Sequence, residues 1–96
     1  MEFTPTVEGP HPSGLGGIQK IYHFPNGYGA SVIQNYFSYG GKDGLWELGV
    51  LRFQNTDAGE LTYDTPITDD VLGHLSEAEV AEALHRIAAL PPAAGA

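Results

Sequence analysis

The sequence predicts an α+β domain: a four-stranded antiparallel β-meander followed by one C-terminal helix packed on one face, in the order ββββα. Three observations carry this expectation. Between residues 18 and 64, runs rich in Ile, Val, Tyr, Phe and Leu alternate with short segments of Gly, Asn, Asp and Pro, the punctuation of antiparallel hairpins. Apolar residues recur at helical spacing only near the C-terminus, at Val80, Ala83, Leu84, Ile87 and Leu90. The 96 residues, 42 % of them hydrophobic, can build one modest core.

Residues 1–17 contain Pro5, Pro10 and Pro12 together with Gly9, Gly14, Gly16 and Gly17. These interrupt any periodicity, so a flexible tail is expected, with Phe3, Val7 and Leu15 as its available anchors. The domain proper then spans 18–92, and 93–96 should fray. The first strand is expected at 18–24. It ends at Pro25-Asn26-Gly27, where Asn-Gly suits a type I′ turn because both central residues need positive φ. The second strand should run over 28–37, and the loop 38–44 leads to a third strand at 45–54. There Trp46, Leu48 and Val50 share one face, and Leu45, Leu51 and Phe53 the other. After a turn at 55–59, a short fourth strand is expected at 60–64. Residues 65–74 cross from sheet to helix, with Ile67, Val71 and Leu72 tucked beneath and a single helical turn near 69–72.

The helix carries the clearest local signal. In Leu75-Ser76-Glu77-Ala78-Glu79-Val80, Ser76 can cap, Glu79 can reach back, and Leu75 can pack on Val80. Pro91-Pro92 stops the helix. One helix covers one face of a sheet. The other face, either the Trp46 set or the Leu45, Leu51 and Phe53 set, stays open unless the tail or a bend in the sheet covers it. An open apolar face of a few hundred Å² marks a contact surface. The expected contact residues are Tyr36, Tyr39, Trp46 and Leu48, facing a protein partner or a second copy in a homodimer; ordinary core packing is their alternative.

Charge narrows the partner class. Twelve acidic against four basic residues give a net charge of −8. Lys20, Lys42, Arg52 and Arg86 are scattered, so direct nucleic-acid binding is disfavoured. The acidity fits solubility, a basic protein partner, or mimicry of nucleic acid. Asp57, Glu60, Asp64, Asp69 and Asp70 are the acidic surface candidates, and Glu77 and Glu82 extend them for a DNA-mimic inhibitor. No apolar run approaches a membrane span. Met1 to Pro12 lacks the pattern of a signal peptide. The chain has no cysteine, which removes disulfides, thiolate nucleophiles and iron–sulfur clusters and agrees with a cytoplasmic setting.

No catalytic constellation emerges, so an enzyme is not expected. Asp64, Asp69 and Asp70 with His74 are the nearest approach to a metal-dependent site, yet their spacing does not match a calcium loop, and a helical cap is the simpler role for Asp69 or Asp70. No serine lies in a Gly-x-Ser-x-Gly elbow. Gly40-Gly41-Lys42 lacks the rest of a phosphate-binding loop. His74 and His85 stand eleven residues apart, about 16 Å along a helix, too far to share one ion. The tyrosines and Trp46 lack the positive groove that base-stacking proteins pair with aromatics. No cofactor is expected.

Three segments, 24–32 (FPNGYGASV), 44–48 (GLWEL) and 61–71 (LTYDTPITDDV), together resemble a family of small actinobacteriophage proteins without assigned function. The likeness covers residues 20–90. It implies a viral accessory protein acting in a bacterial host cytoplasm by binding a host or phage protein, and it supplies no catalytic or binding residues. The leading expectation is therefore a small, acidic, non-enzymatic binding protein, self-associating through the open sheet face. A DNA-mimic inhibitor and a small metal-dependent enzyme are the alternatives.

Overall fold

The structure, a computed structural model, describes residues 5–10, 17–35, 43–53, 59–62, 65–67 and 71–92. These form an antiparallel sheet of β1 (Val7–Pro10), β2 (Ile18–His23), β3 (Tyr28–Gln34), β4 (Trp46–Arg52), β5 (Glu60–Leu61) and β6 (Leu72–Leu75), followed by the helix α1 (Glu77–Ala88). The strands run β1-β2-β3-β4-β5 across the sheet, and β6 also pairs with β4. The α+β class and the C-terminal helix match the expectation, whereas the four-strand count falls short. Val7–Pro10, assigned to the tail from its prolines and glycines, pairs antiparallel with β2 from Val7 opposite Ile21 to Pro10 opposite Ile18. Leu72–Leu75, expected within a crossing segment, is a strand against β4. In both cases a partner strand supplies the order that local sequence lacks.

The hairpin between β2 and β3 differs from the expected turn. Gly27 has φ 86°, while Asn26 does not adopt positive φ, as type I′ would require. The Gly27 N–H donates to the Phe24 carbonyl at 3.1 Å, and the Phe24 N–H donates to the Tyr28 carbonyl at 2.8 Å. This is a three-residue connection with Pro25 at its first turn position and glycine at the left-handed residue.

Asn26 is freed for another task. Its Nδ2 donates to the carbonyls of Ile87, Ala88 and Leu90 at 2.9, 3.3 and 3.1 Å. Its Oδ1 accepts from the Tyr28 N–H at 3.0 Å. The last carbonyls of a helix lack intrahelical partners; here the turn amide reaches those of Ala88 and Leu90 and joins the Leu90 N–H, at 3.1 Å, on that of Ile87.

The helix begins as its sequence specifies. Ser76 accepts from the Glu79 N–H at 3.2 Å, and the Glu79 carboxylate accepts from the Ser76 N–H at 2.9 Å. Leu75 is half-buried and packs against the core. Val80, Ala83, Leu84 and Ile87 turn inward onto Ala30, Val32, Leu48 and Val50. The helix thus covers the Trp46, Leu48 and Val50 face. Ile87, Leu48, Val32 and Val50 are fully enclosed, each contributing roughly 1.5–3 kcal/mol by burial.

Two backbone positions need their residues for different reasons. A Cβ at Gly29 would collide with the Tyr22 carbonyl oxygen and the Phe53 ring, so only glycine fits this crossing of β2 and β3. His74, at φ 57°, is a non-glycine in the left-handed region. It sits where the pairing of β6 with β4 shifts register between Trp46 and Leu48. The bulge there demands a bend that a histidine adopts at a cost.

Three outcomes follow for stability. Asn26→Ala should lower the unfolding free energy by about 1–3 kcal/mol in urea, because the carbonyls of Ile87, Ala88 and Leu90 lose the Asn26 amide. His74→Gly should raise it, by up to about 1 kcal/mol, by relieving the left-handed conformation. The Glu79 carboxyl is held below the usual glutamate range by the Ser76 N–H and then by the Ser76 hydroxyl. Its folded pKa is therefore the lower one, so its contribution is present at neutral pH and fades as pH falls through that value. Urea unfolding across acidic pH should show the stability gap between wild type and Glu79→Gln closing on acidification.

Candidate protein-contact face

Alternation along the strands places a second set of side chains on the sheet face away from the helix. Its rows follow from the register. Gly9, Gln19, Ile33 and Glu47 form one row; Val7, Ile21, Ser31 and Gly49 the next; His23, Gly29, Leu51 and Leu61 the third.

One end of this face is closed. Leu51 and Phe53 are buried. The backbone at Gly59 lies against both, since a Cβ there would stand 3.0 Å from the Leu51 Cδ1 and 2.8 Å from the Phe53 Cζ. The His23 ring stacks on Phe53 with centroids 3.8 Å apart and planes 9° from parallel. Glycine at 49 lets the Leu61 side chain lean inward, with Val71 beside it.

The rest stays accessible. Val7 is 59 % exposed and Leu61 48 % exposed. Between them Ile21 and Ile33 are half-buried. Polar groups on this face are few: Gln19 donates to the Ser31 hydroxyl at 3.4 Å, and Glu47 is half-buried. The outer edge of β1 carries Glu8 and ends in Pro10, features that discourage further strand addition. The face is therefore better suited than that edge to side-chain contact with another molecule.

The expected contact residues are placed differently. Trp46 and Leu48 belong to the core beneath α1, at 8 % and 0 % exposure, and offer no side-chain surface to a partner. The helix selected their face because Val32, Leu48 and Val50 complete its apolar stripe. Lys20 adds to the cover, its Nζ lying 4.9 Å from the centre of the Trp46 ring. Tyr36 and Tyr39 lie outside the described residues. The sequence marked Val7 only as an anchor of the N-terminal segment, and Ile21, Ile33 and Leu61 were not singled out as contact residues. Their signal was the alternation that sets Ile33 opposite Val32, but it becomes useful only once the helix-covered face is known.

Among the acidic candidates, Asp57, Asp64, Asp69 and Asp70 lie outside the described residues. Glu60 is exposed on β5 opposite Arg52. Glu77 and Glu82 are exposed on α1. His74 is exposed on β6. Among the described residues, no group of three or more His, Asp or Glu is placed to hold a metal ion. Also among them, no buried side-chain nitrogen or oxygen lacks a hydrogen-bond partner, and no helix is long and apolar enough to cross a membrane.

The chain matches no family model, no curated protein and no solved structure.

The two faces should respond differently to substitution. Leu48→Ala should cost about 2–5 kcal/mol of unfolding free energy. Val7→Asp should change it by less than about 0.5 kcal/mol, because the side chain is already largely in water. Chemical denaturation of the two variants checks both values.

Proposed function

We propose that this protein is a small, acidic, non-enzymatic binding module that docks a protein partner on the sheet face away from the helix. The observation that carries this reading is the pair of exposed apolar side chains, Val7 and Leu61, flanking half-buried Ile21 and Ile33. Exposed apolar side chains grouped on one face, here interleaved with the Gln19–Ser31 pair, are a common mark of a contact site. The charge of −8 favours a partner with basic groups around its apolar patch and steers their encounter. The resemblance of segments 24–32, 44–48 and 61–71 to small actinobacteriophage proteins points to a host or phage protein, met in a bacterial cytoplasm.

Self-association through the same face is the second reading, favoured by the apolar side chains of Val7, Ile21, Ile33 and Leu61. Two copies each carrying −8 repel, so a homodimer would strengthen with added salt. Binding of a basic partner would weaken with salt. The DNA-mimic alternative draws on the carboxylates of Glu60, Glu77 and Glu82 instead, which stand on β5 and α1.

The test compares wild type with a Val7→Asp/Leu61→Asp variant and a Glu77→Gln/Glu82→Gln variant. Each is immobilised against bacterial host lysate, and its mass in solution is followed by light scattering over a concentration series. A bound protein lost only with the Val7 and Leu61 changes supports face docking. Loss only with the glutamate changes favours the mimic. A concentration-dependent dimer abolished by Val7→Asp/Leu61→Asp favours self-association. A monomer that retains its partner in every variant refutes the proposed face.

A further inference from the structure

Asn26 precedes Gly27, and this pair has a chemistry of its own. When the Gly27 backbone nitrogen loses its proton, it can attack the Asn26 side-chain carbon Cγ. Glycine presents the least hindered nitrogen for this attack. A new N–Cγ bond closes a five-membered succinimide, the bond from Cγ to the side-chain nitrogen breaks, and that nitrogen leaves as ammonia. Water then opens the ring at one of its two carbonyls, leaving an aspartate or an isoaspartate. The net change is amide plus water to acid plus ammonia, with no oxidant or reductant.

The fold holds both reacting groups out of this geometry. The Gly27 N–H is committed to the Phe24 carbonyl at 3.1 Å. The Gly27 carbonyl accepts from the Phe53 N–H at 2.8 Å, so the glycine is fixed from both sides. The Asn26 amide is held by the carbonyls of Ile87, Ala88 and Leu90 and by the Tyr28 N–H. Closing the ring breaks the bond from the Gly27 N–H to the Phe24 carbonyl and, as Nδ2 departs, its bonds to the carbonyls of Ile87, Ala88 and Leu90.

The same contacts disfavour the product at this position. An ionised carboxylate has no hydrogen to donate. It would face three carbonyl oxygens at the negative end of the helix dipole. The isoaspartate product also lengthens the backbone within a turn whose spacing is fixed by the Phe24–Tyr28 and Phe24–Gly27 bonds.

We propose that Asn26 is a modification site: a deamidation centre that the native fold protects, and whose conversion to aspartate or isoaspartate releases the end of α1 from the β2–β3 turn. Each excursion that opens this contact exposes the site to an irreversible step. The modified chain refolds to a state with a loosened helix. The proposal does not depend on what the sheet face binds.

The full chain is incubated in mildly alkaline buffer, once native and once unfolded in guanidinium chloride. Conversion is followed as a gain of about 1 Da, the amide-to-acid change, located by peptide mapping. The native rate should be slower by roughly tenfold or more, because reaction awaits local opening. Equal rates would overturn the protection. Converted protein, separated by anion exchange, should unfold at a lower temperature than unconverted protein; an unchanged midpoint would overturn the release. Asn26→Asp should unfold earlier than Asn26→Ala, since alanine removes the donor without adding charge. The deficit of Asn26→Asp should shrink at acidic pH, where a neutral carboxyl can donate. Equal midpoints for the two variants would show that the carboxylate meets no repulsion there. If neither variant folds, the wild-type rate comparison and the midpoint of the converted protein decide.

Discussion

The Asn26 carboxamide ties the β2–β3 hairpin to the end of α1. The apolar stripe of α1 sets which side of the helix faces the sheet, but burial is non-directional and leaves sliding along the axis weakly specified. Asn26 removes that freedom. Its two amide hydrogens are shared among the carbonyls of Ile87, Ala88 and Leu90, while its oxygen is tied to the Tyr28 N–H of the hairpin. The other end of the helix is fixed through the chain, because β6 runs into the Ser76 cap. The helix is therefore held at both termini by polar geometry, and its middle is held by packing.

The central strand β4 shows how one strand serves two unlike faces. Toward the helix it presents Trp46, Leu48 and Val50, which meet Val32, Ala30 and the buried side of α1. Away from the helix it presents Glu47, Gly49 and Leu51, where glycine makes room for Leu61. Large residues fill the thick layer between sheet and helix, and small ones allow the thin outer face to be partly lidded by neighbouring chain. The accessible apolar surface is what this lid leaves uncovered.

How legible this was in sequence depended on the range of each interaction. The capping box, the apolar stripe and the helix stop at Pro91 involve residues a few positions apart, and all were readable. The β2–β3 hairpin was readable too, but its turn type was not. Asn-Gly favours type I′ in isolation, whereas here the Asn26 side chain is claimed by carbonyls more than sixty residues further along the chain. Val7–Pro10 looked unstructured because Gly9 and Pro10 are poor strand formers; it becomes a strand by borrowing hydrogen bonds from β2. Gly73 and His74 hid β6 in the same way, since a bulge breaks the alternation by which strands are recognised. The contact face was only half legible. Alternation defined two faces, but choosing the open one needed the helix in place; Trp46 and Leu48, expected as contacts with core packing as their alternative, lie in the core.

The location of Val7 and Leu61 has a bearing on energetics. Among the described residues, Val7 sits on a four-residue strand paired to β2, and Leu61 on a two-residue strand paired to β4. Such peripheral elements open at a far smaller free-energy cost than the β3–β4 centre. A molecule that settles across both would have to quiet them first, and would recover that entropy loss only through the apolar area it covers. Its binding heat capacity would then exceed what the rigid contact area accounts for, with the excess coming from the edges of the sheet folding down onto it.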